Sequence, residues 1–182
     1  MITSKPKIDV SKLGVMIIDM QDKYLELIDP RKKKEMIYAQ LALIELCSFY
    51  DYPVIILEYA LSGSTTERIF EAVKRVPRRF YFEKSRNNGF TNPRVGDIVE
   101  ELGLKHLCLA GLNAPYCVRD TGAGAVLNGQ RIMTARQLLG VQVHREYAFK
   151  PSLRWFKSNG FCPDHYSGIT NLMIQDARSK SA

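Results

Sequence analysis

The chain has 182 residues, of which 46% are apolar and 25% charged, and its formal net charge is +7. This composition is typical of one globular domain, and it excludes disordered and collagen-like chains. The cysteines are too scattered for a disulfide framework, and no apolar run is long enough to cross a bilayer. The first ten residues lack the apolar stretch of a secretory signal. We therefore expect a single domain over 1–182 in the cytoplasm.

The positive charge does not indicate a nucleic-acid partner. The densest basic run, residues 31–34, is short and has no aromatic residues between its charges. A solvated helix start explains such a run without a bound phosphate. We expect no partner nucleic acid, no membrane partner and a small-molecule substrate.

Short apolar runs alternate with segments of helical period along the chain. The runs predict strands near 13–19, 53–58, 79–82, 106–111, 130–134 and 168–175. Helices are predicted between them, over 30–50, 65–74, 93–102, 115–128 and 151–158. Apolar strands without polar alternation are covered on both faces. The pattern therefore predicts an α/β fold: three α/β/α layers around a six-stranded, mostly parallel, Rossmann-like sheet.

Three reactive side chains lie at or after the ends of predicted strands. Asp19 ends the first strand, Lys84 comes shortly after the third, and Cys117 lies in the segment after the fourth. The carboxyl ends of parallel strands meet at one edge, where ligands bind. There a helix start and the Lys84 ammonium would favour the Cys117 thiolate, while Asp19 could accept the proton and hold Lys84. The alternative is that Cys117 is a buried apolar residue, which is the commoner role of a lone cysteine.

Two other signals do not indicate a ligand site. Gly122 and Gly124 lie inside a predicted helix, so they favour close helix packing over a dinucleotide loop. The histidines lie far apart without i, i+4 spacing, so no metal site is predicted from His106, His144 and His165.

Three segments resemble the isochorismatase-like cysteine hydrolase superfamily. They are VMIIDMQDKY at 15–24, KSRNNGF at 84–90 and LAGLNAPYCV at 109–118. Their order and spacing agree with the superfamily over residues 12–135. The rest of the chain, about 135–182, is an atypical C-terminal part.

The resemblance implies a catalytic triad of Asp19, Lys84 and Cys117. It also implies an oxyanion hole from the backbone N–H groups of Asn113 and Cys117, and a cis peptide bond between Leu112 and Asn113. The thiolate would attack an amide-like carbonyl, an amine would leave, and water would cleave the thioester.

Departures from the superfamily pattern narrow the expected activity. Ala114-Pro115 stands where a Thr and an acidic residue are usual. Segment 58–64 lacks the Asp-x-His metal site of nicotinamidases, so we expect no metal and no cofactor. The cysteine itself argues against the vinyl-ether chemistry of isochorismatases proper.

The favoured function is a metal-independent cysteine hydrolase that cleaves the C–N bond of a small amide-like substrate. The first alternative is a catalytically lapsed family member acting as a binding or scaffold subunit, and the second is a thiol redox enzyme. Polar residues near the triad are candidate substrate contacts: Gln21, Glu58, Arg86, Asn87 and Asn88.

The chain is also expected to form a homo-oligomer. Four aromatic residues fall within the segment 147–156, namely Tyr147, Phe149, Trp155 and Phe156. They are candidates for a subunit contact, although aromatics at such spacing more often pack inside their own chain.

Overall fold

The computed structural model describes residue 10 and residues 12–180 of the chain. The strands are β1 (Leu13–Ile18), β2 (Val54–Tyr59), β3 (Arg79–Lys84), β4 (His106–Gly111), β5 (Arg131–Met133) and β6 (Gly160–Phe161). Every neighbouring pair is parallel, and the strand order is β3-β2-β1-β4-β5-β6. The predicted six-stranded parallel sheet is confirmed. Residues 1–9, 11 and 181–182 of the expected domain lie outside the described residues.

Helices connect the strands, as the sequence predicts. They are α1 (Asp22–Leu25), α2 (Pro30–Tyr50), α3 (Glu67–Lys74), α4 (Pro93–Glu101), α5 (Arg119–Leu127), α6 (Phe149–Asn159) and α7 (Ser167–Lys180). Local chemistry sets the start of α2, since the Asp29 carboxylate accepts the N–H groups of Arg31 and Lys32. Pro30 takes the first position, where no N–H is needed.

The last predicted strand is wrong. Residues 168–175 lie within α7, and the sixth strand is instead Gly160–Phe161, which pairs with β5. Ile169 and Met173, four positions apart, are both fully buried in the core. That spacing places two residues on one helical face, whereas a strand would turn alternate residues to each side.

The side chains of β1 alternate between two cores on opposite faces of the sheet. Val15 and Ile17 pack into the core that α2, α3 and α7 cover. Met16 and Ile18 pack into the core that α4, α5 and α6 cover. Both faces of β1 are therefore buried, which explains its apolar sequence and confirms the three layers.

The atypical C-terminal part completes the same sheet and the same cores. Phe156 is 1% exposed, and Phe149 and Trp155 are partly buried against the same core. Tyr147, by contrast, is 77% exposed. Three of the four aromatics in 147–156 thus pack within their own chain. None of the helices in the described chain has the length and apolar character that a membrane crossing requires.

Candidate active site

The ends of three strands bring Asp19, Lys84 and Cys117 to one edge of the sheet. Asp19 directly follows β1 with a left-handed backbone (φ 52°), and Lys84 is the last residue of β3. Cys117 lies in the segment between β4 and α5. Because β4 pairs with β1 on the side opposite β2, residues remote in sequence meet where the strand order reverses.

Asp19 and Lys84 form a buried ion pair. Lys84 Nζ lies 2.8 Å from Asp19 Oδ2, and the Lys84 and Asp19 side chains are 0% and 3% exposed, respectively. The ammonium also donates to the Arg86 carbonyl at 3.3 Å. Asp19 Oδ1 is buried and has no hydrogen-bond partner among the described residues. One carboxylate oxygen therefore holds the lysine while the other is free to accept a proton.

Tyr59 lies beside the ion pair and Gln21 binds the Tyr59 backbone, and the sequence did not predict either role. The Tyr59 ring centroid lies 4.6 Å from Lys84 Nζ. Gln21 accepts the Tyr59 N–H and donates to the Tyr59 carbonyl, each at 2.9 Å. Gln21 also donates to the Gly63 carbonyl at 2.5 Å. Its amide thus binds backbone groups of its own chain, so we do not propose it as a substrate contact.

The Cys117 thiol faces Asn87 in the loop after β3. The thiol donates to Asn87 Oδ1 at 3.5 Å, and Asn87 Nδ2 donates to Asp120 Oδ2 at 3.2 Å. The hydroxyl of Thr121 accepts the Gly89 N–H at 2.9 Å. The loop after β3 is therefore fixed against the start of α5, which places Asn87 beside the sulfur.

The loop that carries the sulfur has an unusual backbone. The Leu112–Asn113 peptide bond is cis, as the resemblance implies. Residues Ala114–Val118 then form one π-helical turn before α5, where the sequence predicts the start of an ordinary helix. The Asn113 side-chain oxygen accepts the Gln142 N–H at 3.2 Å, which ties this loop to the segment after β5.

Burial controls the charge state of the sulfur. Burial, together with the neighbouring Asp19 carboxylate, raises the pKa of Cys117 to about 12, although Lys84 acts in the opposite direction. Lys84 thus favours the thiolate, as expected from the sequence, but burial and the Asp19 charge together outweigh the lysine. Burial also raises the pKa of Asp19 against the lowering effect of Lys84. A raised pKa makes Asp19 a stronger proton acceptor.

The remaining candidate contacts fall into two groups. Glu58 accepts the Thr65 N–H at 2.6 Å, and Asn88 accepts the Phe90 N–H at 2.9 Å, so both brace the backbone. Arg86 is exposed, and Asn87 touches the sulfur. Asn87 and Arg86 are therefore the polar candidates that remain for substrate.

The glycines of α5 serve packing, as predicted. A Cβ on Gly124 would lie 2.5 Å from Asn88 Oδ1, and one on Gly122 would lie 3.0 Å from a Leu109 methyl. Small residues at these positions let the loop after β3 and strand β4 approach α5 closely.

The other cysteines lie away from the site. Cys47, Cys108 and Cys162 are buried and reduced. Cys108 packs in the core on one face of the sheet and Cys117 in the core on the other, so the two cannot form a disulfide. Within residues 10 and 12–180, no cluster of three His, Cys, Asp or Glu side chains is arranged to hold a metal.

A cavity of about 710 Å³ lies near the start of α2. Met36, Leu139, Val141 and Leu153 form part of its wall, and none of Asp19, Lys84 and Cys117 lines it. The cavity therefore does not include the reactive side chains, although Gly140 in its wall accepts the N–H of Ala114 from the loop that carries Cys117.

Three solved structures share this fold. The YcaC gene product from Escherichia coli, an octameric hydrolase of unknown specificity, has a TM-score of 0.80 at 20% identity, covering 97% of this chain and 86% of its own. A cysteine hydrolase from Pseudomonas syringae pv. phaseolicola has a TM-score of 0.80 at 12% identity, covering 96% and 100%. A nicotinamidase from Staphylococcus aureus has a TM-score of 0.75 at 14% identity, covering 85% and 99%. No curated protein matches the sequence.

The family model of the isochorismatase domain matches residues 14–139. This range runs from β1 to the turn after β5, and it contains Asp19, Lys84 and Cys117. The segments that resemble the superfamily in sequence are thus the segments that meet at the sheet edge. The chain belongs to the isochorismatase family and is an isochorismatase-like hydrolase.

Proposed function

We propose that the protein is a metal-independent cysteine hydrolase that cleaves the C–N bond of a small amide-like substrate. One observation carries the proposal: a buried thiol lies beside a buried Asp19–Lys84 ion pair. A buried thiol of high pKa is mostly protonated at neutral pH, so its attack on a poorly electrophilic amide is assisted by a base that takes the proton. Asp19, with one free oxygen and a raised pKa, is that base.

The first half of the reaction forms a thioester. Cys117 Sγ attacks the substrate carbonyl carbon while its proton passes to Asp19, and the carbonyl electron pair moves onto oxygen. When this tetrahedral intermediate collapses, the C–N bond breaks and the amine leaves with the proton from Asp19. Throughout, the Lys84 ammonium holds Asp19 in place and offsets negative charge on the sulfur.

The second half regenerates the enzyme. Water attacks the thioester carbon and gives a proton to Asp19, and the C–S bond then breaks. The carboxylic acid leaves, and the sulfur recovers its proton from Asp19. Reactants and products balance as amide plus water giving acid plus amine, so no oxidant or reductant is consumed.

The oxyanion hole is proposed at the backbone of Asn113 and Cys117. The N–H of Ala114 donates to the Gly140 carbonyl at 2.9 Å, and those of Tyr116 and Val118 donate to the Asn113 carbonyl. Proline has no N–H to offer. The N–H groups that remain are those of Asn113, which precedes the turn, and of Cys117 within it, and both could receive developing negative charge.

The loop residues Ala114-Pro115 motivate the alternative of a binding or scaffold subunit without turnover. Both residues nevertheless fit the loop, because the N–H of Ala114 donates to the Gly140 carbonyl and Pro115 lies in the first turn, where no N–H is needed. We therefore favour the hydrolase, and the experiment below decides between the two functions.

A panel of small amides and ureides, assayed for ammonia release, tests the proposal. We expect release by the wild type and by Cys162→Ser, the matched control for a buried thiol, and none by Cys117→Ser. Intact-mass spectrometry after acid quenching should show an acyl adduct on Cys117, and a chelator should leave the rate unchanged. Turnover by Cys117→Ser, or its loss with the chelator, would contradict the mechanism. No turnover and no adduct on any substrate would favour the scaffold alternative.

We also propose that the protein is a cytoplasmic homo-oligomer. The octameric hydrolase from Escherichia coli supports this proposal by its shared fold. Tyr147 is the aromatic of the 147–156 segment that remains exposed for such a contact.

A further inference from the structure

We infer that Tyr59 is a positioning residue whose aromatic face holds the Lys84 ammonium against Asp19. This inference rests on the proposed function, and it adds a fourth residue to the machinery at the sheet edge. Within the described residues, no hydrogen bond joins the Tyr59 side chain to the sulfur or to the proposed oxyanion donors, so Tyr59 would act through Lys84.

The surroundings of the ammonium carry the inference. Lys84 Nζ donates to Asp19 Oδ2 at 2.8 Å and to the Arg86 carbonyl at 3.3 Å, and an ammonium has three N–H groups. The ring centroid of Tyr59 lies 4.6 Å from the same nitrogen. The Lys84 side chain is fully buried, and a cation is attracted to an aromatic face most strongly where water is excluded.

Tyr59 is itself held from three directions. It is the direct cross-strand partner of Lys84 in the parallel register of β2 and β3. Its backbone N–H and carbonyl both bind the Gln21 amide, and its hydroxyl donates to the Ser85 carbonyl at 2.9 Å. The ring therefore cannot leave the ammonium without breaking the hydroxyl bond next to Lys84.

The expected effect of the ring is measurable at the sulfur. Lysine has a long, flexible side chain, and losing one of its contacts lets the ammonium move away from Asp19 and Cys117. Lys84 opposes the high pKa of Cys117. Weakening the contact between the ring and the ammonium should therefore slow alkylation of Cys117 at a fixed pH.

The test varies the charge of the ring face without changing its shape. Phenylalanine and its 4-fluoro, 3,5-difluoro and 3,4,5-trifluoro forms are incorporated at position 59, with phenylalanine as the reference because all four lack the hydroxyl. The rate of iodoacetamide alkylation of Cys117 is followed by peptide mass spectrometry at about pH 9. We expect a stepwise decline to a rate about 3- to 10-fold below the reference. Circular dichroism checks that each variant is folded.

Two controls make the result specific. The same series at Tyr81, whose ring packs against that of Phe70 and has no cation over its face among the described residues, should leave the alkylation rate constant. In a Lys84→Met background, the series at position 59 should also be flat, because the ring then has no cation to hold. A flat series at position 59 with Lys84 intact, or an equal decline in the Lys84→Met background, overturns the inference. If trifluorophenylalanine prevents folding, the 4-fluoro variant against phenylalanine gives the same decision.

The readout also separates this inference from the proposed function. Alkylation needs no substrate, so a graded series together with no hydrolysis of any amide would uphold the role of Tyr59 and reject the hydrolase. Hydrolysis of an amide, together with an alkylation rate that stays constant across the position-59 series, would uphold the hydrolase and reject the role of Tyr59. Where turnover is present, kcat should follow the alkylation series while KM stays constant, since Tyr59 has no proposed contact with substrate.

Discussion

The Asp19 carboxylate acts on its two neighbours in opposite ways. It holds the Lys84 ammonium through Oδ2, and the same negative charge raises the pKa of Cys117. Burial favours the neutral form of both acids. The proposed mechanism therefore starts from a protonated sulfur and moves that proton to Asp19 when substrate is in place.

Asp19→Asn should separate thiol reactivity from turnover. Removing the carboxylate removes one cause of the high Cys117 pKa and leaves Lys84 to favour the thiolate, so alkylation by iodoacetamide at neutral pH should become faster. Hydrolysis should fall by about 10²- to 10⁴-fold, because the proton acceptor is gone. Alkylation rates against pH and ammonia release measure the two effects. Asp97→Asn, on α4, is the control and should change neither rate. Slower alkylation in Asp19→Asn would contradict the conclusion that Asp19 raises the pKa of Cys117.

Lys84→Met should destabilise the fold in a pH-dependent way. The Asp19 carboxyl then loses the partner that lowers its pKa, so burial raises that pKa further. When the folded-state pKa of a carboxyl lies above its unfolded value of about 3.9, protonation of the carboxyl stabilises the fold. This stabilisation is complete below about pH 3.9 and is lost as the pH rises through the folded-state pKa. We expect a loss of about 3–5 kcal/mol near pH 8 and a smaller loss near pH 5, measured by urea unfolding. The exposed Lys105→Met serves as control, and equal losses at both pH values would refute the argument.

The sequence predicted the triad but not its neighbours, for a physical reason. Asp19, Lys84 and Cys117 each lie at or shortly after the carboxyl end of a strand, and strand ends can be predicted from apolar runs. The contact of Tyr59 with Lys84 depends on the register of β2 against β3, which no local pattern specifies. The depth of burial around Cys117 is also a property of the assembled fold, so the sequence did not predict how strongly burial opposes the thiolate.

At the level of elements, the junction of β4 with the sulfur-bearing loop depends on Gly111. Its φ of +127° lies in the region that favours glycine, and a Cβ there would lie 2.0 Å from the Ile18 carbonyl oxygen. Strand β1 runs directly beside this point, with Ile18 paired to Gly111. A side chain at position 111 would therefore push apart the two strands that carry Asp19 and Cys117.

Gly111→Ala should destabilise the protein by about 3 kcal/mol or more, because backbone strain adds to a clash with main-chain atoms. Gly96→Ala is the matched control. Its Cβ would meet nothing within 4 Å in α4, so it should stabilise by about 0.5–1 kcal/mol. Urea midpoints of both variants check the prediction. A Gly111→Ala protein as stable as the wild type would show that the junction tolerates a side chain.

The C-terminal helix α7 is the element whose type the sequence does not specify clearly. The run 168–175 mixes apolar residues at spacings that suit both a strand and one helical face, and β6 has only two residues. So short a strand leaves no periodic signal. The burial of Ile169 and Met173 against the β1 core selects the helix, and that packing is a tertiary effect.

At the level of the whole molecule, we expect an assembly of identical chains. Multi-angle light scattering at micromolar concentration should give a mass that is a multiple of 20.7 kDa. Tyr147→Glu should lower that mass if the exposed ring contributes to the contact, since burying a charge at an interface is costly. Tyr38→Glu, also open to solvent on α2, is the comparison. A strict monomer would reject the oligomer proposal.

The burial of the Cys117 sulfur also provides a way to follow the folding of the chain over time. Cys117 has an ordinary thiol pKa of about 8.5 while the chain is unfolded, and one of about 12 once β1 and β4 bury it. A millisecond pulse of a methanethiosulfonate reagent near pH 9 during refolding, followed by analysis of the peptide that contains Cys117, would therefore mark chains in which this site has not yet formed. The fraction that escapes the label would trace, over time, the closing of a site whose parts lie far apart in sequence.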